Sequence, residues 1–152
     1  MNSKKKKYNK IEEWKNLNKT IVFTNGCFDL LHKGHIDLLK KASEFGDKLI
    51  VGINSDKSVK KIKGENRPVE DQKTRKKNLL NLEYVDDVYI FEESTPLRII
   101  KSICPDVLVK GADYTFHQII GAKFVLDNGG KVRIVPLTPG FSTTKSIEKM
   151  AK

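Results

Sequence analysis

The chain has 152 residues, 38% of them hydrophobic and 32% charged, with a formal net charge of +10. That length suits one domain whose core needs no staples. No apolar run is long enough to cross a bilayer, and Met1-Asn2-Ser3 leads into Lys4–Lys7 rather than into the apolar stretch of a secretory signal.

Seven lysines against Glu12 and Glu13 put +5 of the excess charge in residues 1–20. The remainder is spread along the chain, without an arginine cluster, aromatic-basic interleaving or zinc-finger spacing. The charge therefore reads as solvated surface and attraction for polyanionic substrates rather than as a nucleic-acid interface. Cys27 and Cys104 form neither a metal-type pair nor a disulfide framework, so a reducing cytoplasm is the expected compartment. Residues 1–10 are expected to be a flexible basic leader and 11–152 the folded domain. A short helix over 11–17 is expected to pack Ile11 and Trp14 on the body.

Five short, β-branched runs follow: 20–24 (TIVFT), 49–53 (LIVGI), 88–91 (VYIF), 107–109 (VLV) and 132–135 (VRIV). Each is bounded by Gly, Asp, Asn or Pro and reads as a buried strand. Helical patterns cover about 35–45, 70–82, 95–103, 115–127 and 142–151. Gly46 reads as a C-cap after the first of these. Thr95-Pro96 reads as an N-cap with proline at the first helical position. Strands alternating with helices imply right-handed crossovers. The expected fold is a single α/β domain, doubly wound, with a five-stranded parallel sheet and helices on both faces.

Ligands of such sheets bind beyond the carboxyl ends of the strands, at the topological switch point. The residues there are Asn25-Gly26-Cys27-Phe28-Asp29 and His32-Lys33-Gly34-His35 after the first strand, and Asn54-Ser55-Asp56 after the second. Lys110-Gly111-Ala112-Asp113 follow the fourth, and Gly140 to Thr144 follow the fifth. Gly34 lets a phosphate approach the backbone, and the N-terminus of the next helix favours an anion. His32 and His35 can donate hydrogen bonds to phosphate oxygens. On H-x-G-H alone, a polar surface pair or a satisfied buried pair remains an equal alternative. No third or fourth ligand lies at a zinc-type spacing, so no protein-held metal is expected.

Thr24 to Asp37 (TNGCFDLLHKGHID) resembles the first signature of the cytidylyltransferase-like nucleotidyltransferases, and Ser142-Thr143-Thr144 resembles their second. The resemblance spans about residues 20–150 and implies a Rossmann-like domain. Within that superfamily the chain looks like the adenylyltransferase domain of ADP-heptose synthases. The matching segments are 51–56 (VGINSD), 63–69 (KGENRPV), 95–100 (TPLRII), 105–114 (PDVLVKGADY) and 128–131 (NGGK). Glycerol-3-phosphate cytidylyltransferases typically end in R-T-E-G-I-S-T-T, and here Leu137 stands where the arginine would be.

The resemblance implies that ATP is the nucleotide substrate and a phosphorylated sugar the acceptor, with Mg²⁺ held mainly by the nucleotide phosphates. It makes His32 and His35 the stabilisers of the transferring phosphate, and it implies a homodimer by analogy. Ser142, Thr143 and Thr144 are expected to hold the β- and γ-phosphates while capping a helix. Asn25, Gly26, Cys27 and Phe28 are expected to approach the nucleotide through the backbone, beside Lys33 and Gly34. Lys110, Gly111 and Asp113 are expected near base and ribose, although Asp113 also reads as an N-cap. Asp29 is expected to orient a histidine or to cap the helix entrance. Arg75 either orders the site, contacts phosphate or is an exposed helix charge; Lys63 and Arg67 either reach phosphate or are solvated. Two further readings stay open: a cytidylyltransferase acting on glycerol 3-phosphate or a related polyol phosphate, and a basic, non-catalytic nucleotide- or nucleic-acid-binding module.

Overall fold

The structure is a computed structural model and describes residues 7–111 and 119–136. The chain opens with α1 (Asn9–Asn16) and β1 (Ile21–Gly26), then α2 (Lys33–Ser43), β2 (Lys48–Asn54), α3 (Asp56–Lys63) and α4 (Gln72–Leu80). It continues with β3 (Asp87–Phe91), α5 (Leu97–Ile103), β4 (Val107–Gly111), α6 (Ala122–Asp127) and β5 (Lys131–Val135). The five strands are all parallel in the order β3-β2-β1-β4-β5. The chain runs outward from central β1 through β2 and β3, then returns to its other side for β4 and β5. The switch point is therefore the gap between β1 and β4.

All five expected strands are present, and the reason is burial on both faces. Val22, Leu49, Val51, Ile53, Val88, Val107 and Val109 pack with Leu39, Ala42 and Leu79 from α2 and α4. Ile21, Phe23, Ile50 and Leu108 pack on the other face with Ile11 of α1, Ile99, Ile100 and Ile103 of α5, and Val125 of α6. A fully buried aliphatic side chain contributes about 1.5–3 kcal/mol, so continuous apolar runs, not alternating ones, mark these strands.

Helix α1 begins at Asn9, two residues inside the segment expected to be a leader, because Tyr8 and Ile11 are buried. Trp14 packs half-buried beneath the Lys48 ammonium, 5.2 Å from its ring centre. Lys15 Nζ donates to the carbonyls of Ile103 (2.6 Å) and Cys104 (2.8 Å), satisfying the C-terminus of α5 and complementing its dipole.

Four sequence expectations need correction. Helix α3 was not foreseen: in its sequence DKSVKKIK only Val59 is a buried apolar residue, and the start is set by Ser55, whose side chain accepts from the Ser58 N–H. The first crossover helix starts at Lys33, not residue 35, and its C-cap is Glu44, not Gly46. Gly46 is required for another reason, because a Cβ there would sit 2.6 Å from Val22 Cγ2 and 2.9 Å from the Thr20 carbonyl. Pro96, not Thr95, occupies the N-cap of α5, with no side-chain cap. Of the expected helix over 115–127, residues 122–127 are α6. Residues 119–121 form a turn that ends in the left-handed N-cap Gly121 rather than helix; residues 115–118, the expected helix over 142–151, Asp113, Leu137, Ser142, Thr143 and Thr144 lie outside the described residues.

Candidate active site

Beyond β1 the chain turns through Cys27 to Leu31 before entering α2. Phe28 (φ +49°) and Leu30 (φ +56°) both take left-handed backbone, at a cost of roughly 1–2 kcal/mol each. Three ties from residues 67–75 hold that turn. The fully buried Asp29 carboxylate accepts from the Val69 N–H (2.8 Å), the Glu70 N–H (2.9 Å) and Arg67 Nε (3.1 Å). Glu70 Oε1 accepts in return from the Leu30 N–H at 3.0 Å. Arg75 Nη1 donates to the Cys27 carbonyl at 2.9 Å. The helix entrance is thus capped by a histidine, and Asp29 instead binds the facing segment.

That histidine is His32. Its side chain accepts from the His35 N–H, and His35 Nδ1 accepts from the His32 N–H, each at 3.4 Å. This is a capping box built from two imidazoles. Because both Nδ1 atoms accept, both rings carry their proton on Nε2 when neutral. The rings stack with centres 3.7 Å apart and 19° between planes, and Phe28 meets His35 edge-on at 5.3 Å. Burial, the neighbouring His32 and Lys63 push the His35 pKa down to about 3, against the Asp29 charge, which favours protonation. Burial also lowers the His32 pKa. In the ligand-free site His35 is therefore a neutral hydrogen-bond donor at physiological pH.

Arg75 is fully buried, which excludes the exposed-charge reading. Its Nη1 also donates to the Asn54 carbonyl (2.7 Å), Nε to the Glu70 carbonyl (3.0 Å), and Nη2 to Asp56 Oδ1 (2.9 Å). Four of its five N–H groups serve these bonds. Arg75 clamps the carboxyl ends of β1 and β2 together, and little donor capacity remains for a phosphate.

A cleft of about 370 Å³ opens over these strand ends, within the range of small-molecule sites. Asn25, Gly26, Cys27, Phe28 and His35 line it from β1 and α2, and Lys110 and Gly111 from β4. Asn54, Ile62, Lys63 and Ser94 to Pro96 line it from β2, α3 and the turn after β3. Lys110 Nζ lies 3.4 Å from the Asn25 carbonyl. A Cβ on Gly26 would lie 3.0 Å from the Phe28 ring, so that glycine seats the aromatic as well as exposing backbone to the cleft. Burial raises the Cys27 pKa, and its thiol lies 3.7 Å from Asn54 Oδ1, as suits a packing residue.

Lys33 points to solvent and pairs with Asp37 at 3.3 Å, and Gly34 follows it in the first turn of α2; neither lines the cleft. No three His, Cys, Asp or Glu side chains among the described residues are grouped to hold a metal ion. Sequence reasoning gave no role to Glu70, Asp56 or Asn54, which bond Leu30, Arg75 and Ser58, and did not place Ser94 and Thr95 at the cleft. One signal was available for Arg75: it stands four residues before Leu79, the buried residue of α4, so both share a helix face.

Residues 23–148 match the family model for Cytidylyltransferase-like proteins. The chain belongs to the cytidylyltransferase-like family. It is accordingly a nucleotidyltransferase. Among curated relatives it is similar to the bifunctional protein HldE of Koribacter versatilis, with 52% identity over 139 residues. That match covers 91% of this chain and 29% of the relative. The HldE of Campylobacter fetus is 53% identical over 132 residues, 87% of this chain and 28% of that protein. The chain thus spans less than a third of the length of these relatives. A lipopolysaccharide core biosynthesis protein from Thermoplasma volcanium superposes with a TM-score of 0.64 and 28% identity, covering 79% of this chain and 97% of that one. A pantoate-beta-alanine ligase from Francisella tularensis shares the fold, with a TM-score of 0.58, 16% identity, and coverage of 90% of this chain and 70% of that one.

Proposed function

We propose that this chain transfers AMP from ATP to a sugar 1-phosphate, D-glycero-β-D-manno-heptose 1-phosphate, giving ADP-heptose and pyrophosphate for lipopolysaccharide or another surface glycan. The observation that carries this reading is identity of about one half to HldE proteins across nine-tenths of the chain. The segments that resemble ADP-heptose synthases and the kinship with a lipopolysaccharide core biosynthesis protein support it.

The acceptor's phosphate oxygen attacks the α-phosphorus of ATP in line. The bond from that phosphorus to the bridging oxygen breaks, and pyrophosphate leaves with the electron pair. A phosphate monoester, with a second pKa near about 6, is largely dianionic at pH 7 and needs no general base. The barrier lies in bringing two polyanions together, so positioning and electrostatics dominate. His32 and His35 offer Nε2–H donors toward the transferring phosphate, and Lys63 and Lys110 supply positive charge across the cleft. Ser142, Thr143 and Thr144 are assigned to the β- and γ-phosphates, and Asp113 to ribose or base. A Mg²⁺ ion would neutralise phosphate charge when bound. In this reading the enzyme works in the cytoplasm as a homodimer.

The test is a pyrophosphate-release screen of four nucleoside triphosphates against the heptose 1-phosphate anomers and glycerol 3-phosphate. ATP with the β-anomer is expected to be turned over fastest; preference for CTP with glycerol 3-phosphate would overturn the proposal. His32→Ala and His35→Ala are each expected to cut turnover by at least about 10²-fold while the chain still melts cooperatively. Near-normal turnover by both would sink the assignment of the histidines.

A further inference from the structure

The turn between β1 and α2 is held from outside by two kinds of tie. Asp29 and Arg75 are fully buried and each bonds several backbone groups, so the fold itself depends on them. Glu70 is different, because its backbone is fixed without its side chain. Its N–H donates to Asp29 Oδ1 (2.9 Å) and its carbonyl accepts from Arg75 Nε (3.0 Å). Its half-buried carboxylate then bridges to the turn and to α4. Oε1 accepts from the Leu30 N–H at 3.0 Å, and Oε2 accepts from Asn78 Nδ2 at 3.3 Å.

The place of that bond matters more than its strength. Leu30 holds left-handed backbone (φ +56°) two residues before His32, and a leucine keeps that conformation only where its surroundings impose it. The direction in which the chain leaves Leu30 sets where His32 stands as the N-cap of α2. His32 and His35 are in turn locked to each other, since the Nδ1 of each accepts from the backbone N–H of the other. A rotation at Leu30 therefore moves both rings together. The charge of Glu70 is not what those rings feel: the charges that act on His35 are those of His32, Lys63 and Asp29.

We propose that Glu70 is a positioning residue for nucleotidyl transfer, its carboxylate aiming the two imidazoles at the transferring phosphate through the Leu30 amide. This rests on the part given above to His32 and His35, and it holds whichever acceptor the enzyme uses. The requirement is geometric: an acceptor atom must stand at Oε1, and a negative charge need not. Without that acceptor Leu30 is free to relax toward ordinary backbone, and the rings lose their aim. The fold remains, because Asp29, Arg75 and the core hold the segment and because a half-buried side chain leaves no deep cavity behind.

The experiment compares wild type with Glu70→Ala, Glu70→Met and Glu70→Gln on the acceptor that wild type uses best in the pyrophosphate assay, well below each melting transition. Glu70→Ala is expected to lower kcat about tenfold to a hundredfold. KM for ATP should stay within about twofold of wild type, because the rings act on charge that develops in the transition state. Glu70→Met, which keeps the length but offers no oxygen, should fall with it. Glu70→Gln keeps an oxygen for the Leu30 N–H, and Asn78 can turn its amide to meet the new NH₂ group; it is expected to recover most of the lost kcat. In proton–nitrogen NMR spectra of the ligand-free proteins, the ring signals of His32 and His35 should shift in Glu70→Ala and Glu70→Met and return in Glu70→Gln. Wild-type kcat in Glu70→Ala and Glu70→Met would overturn the proposal. So would a lowered melting temperature with ring signals unmoved, which is what a merely structural residue gives. An equal loss in Glu70→Gln would overturn it by making the charge the operative feature. Near-normal turnover by His32→Ala and His35→Ala would remove the role of the histidines and this inference with it.

Discussion

Five ion pairs among the described residues fall into two groups with similar distances and unlike surroundings. Asp29–Arg67 (3.1 Å) and Asp56–Arg75 (2.9 Å) lie beneath the cleft, where Asp29 and Arg75 have 0% exposed side chains. Lys33–Asp37 (3.3 Å), Lys41–Glu44 (3.4 Å) and Arg98–Glu93 (3.5 Å) lie outside, with side chains 41–84% exposed. Separation alone does not rank them. The inner pairs also bind backbone groups, Asp29 accepting from the Val69 and Glu70 N–H groups and Arg75 donating to the Cys27, Asn54 and Glu70 carbonyls, so losing Asp29 or Arg75 strands buried polar groups. The outer pairs exchange one hydrated state for another and contribute about 0–1 kcal/mol.

The largest effect should come from breaking the inner group. Arg75→Ala removes the donors that hold the Cys27 and Asn54 carbonyls and leaves Asp56 without its partner. The expected loss, read from urea unfolding, is about 3–5 kcal/mol. Arg75→Lys should recover little, because an ammonium cannot reproduce the guanidinium fork. A loss below 1 kcal/mol would show that burial does not separate the two groups. Asp29→Asn is expected to be milder, at about 2 kcal/mol, since it keeps the volume but loses charge-assisted acceptance. It should also lower turnover, because Phe28 and Leu30 would lose part of what holds their left-handed backbone.

A second effect sharpens the same contrast with protons. Burial, His32 and Lys63 hold the His35 pKa at about 3, against an ordinary value of 6.5. Below pH 6.5 the unfolded chain binds a proton at this residue that the folded chain does not. The stability due to neutral His35 is complete above about pH 6.5 and is lost as pH falls from there toward 3. His35→Asn should flatten that part of the stability curve, by an amount on the order of a few kcal/mol across the window. Bound triphosphate favours the charged ring, so ATP binding near pH 6 should take up protons. Calorimetry in buffers of different ionisation enthalpy measures that uptake. Equal observed heats in all the buffers, or an unaltered pH slope in the variant, would show that His35 titrates like an exposed histidine.

The strands were legible because burial on both faces writes itself as unbroken runs such as LIVGI. The histidine turn was legible because H-x-G-H combines imidazoles, a glycine and a helix entrance in four residues. Arg75 was harder to read: it stands among Lys73, Lys76 and Lys77, and what buries it is a partner 48 residues away at Cys27. Asp29 was read as orienting a histidine or capping the helix entrance, both local roles, yet it binds Arg67, Val69 and Glu70, 38–41 residues downstream. Gly46 looked like a helix stop and proved to be a packing requirement set by Val22 and Thr20. In each case the missing information was a tertiary neighbour, which neither propensity nor spacing encodes.

The smallest effect tests the outer group at its most suggestive member. Lys33 sits inside the histidine motif, but its side chain is 66% exposed and pairs with Asp37 one turn on. Lysine preceding aspartate is the less favourable order for an i,i+4 pair, and a cation in the first turn opposes the helix dipole. Lys33→Ala should therefore change stability by no more than about 0.5 kcal/mol, in either direction. Its influence on catalysis should be long-range attraction of polyanions. A fall in kcat/KM of about threefold or less at low salt should vanish near 0.5 M salt, where charges are screened within a few ångströms. A tenfold loss that persists in high salt would instead make Lys33 a direct phosphate contact. The outer surface would then share the catalytic work assigned to the cleft.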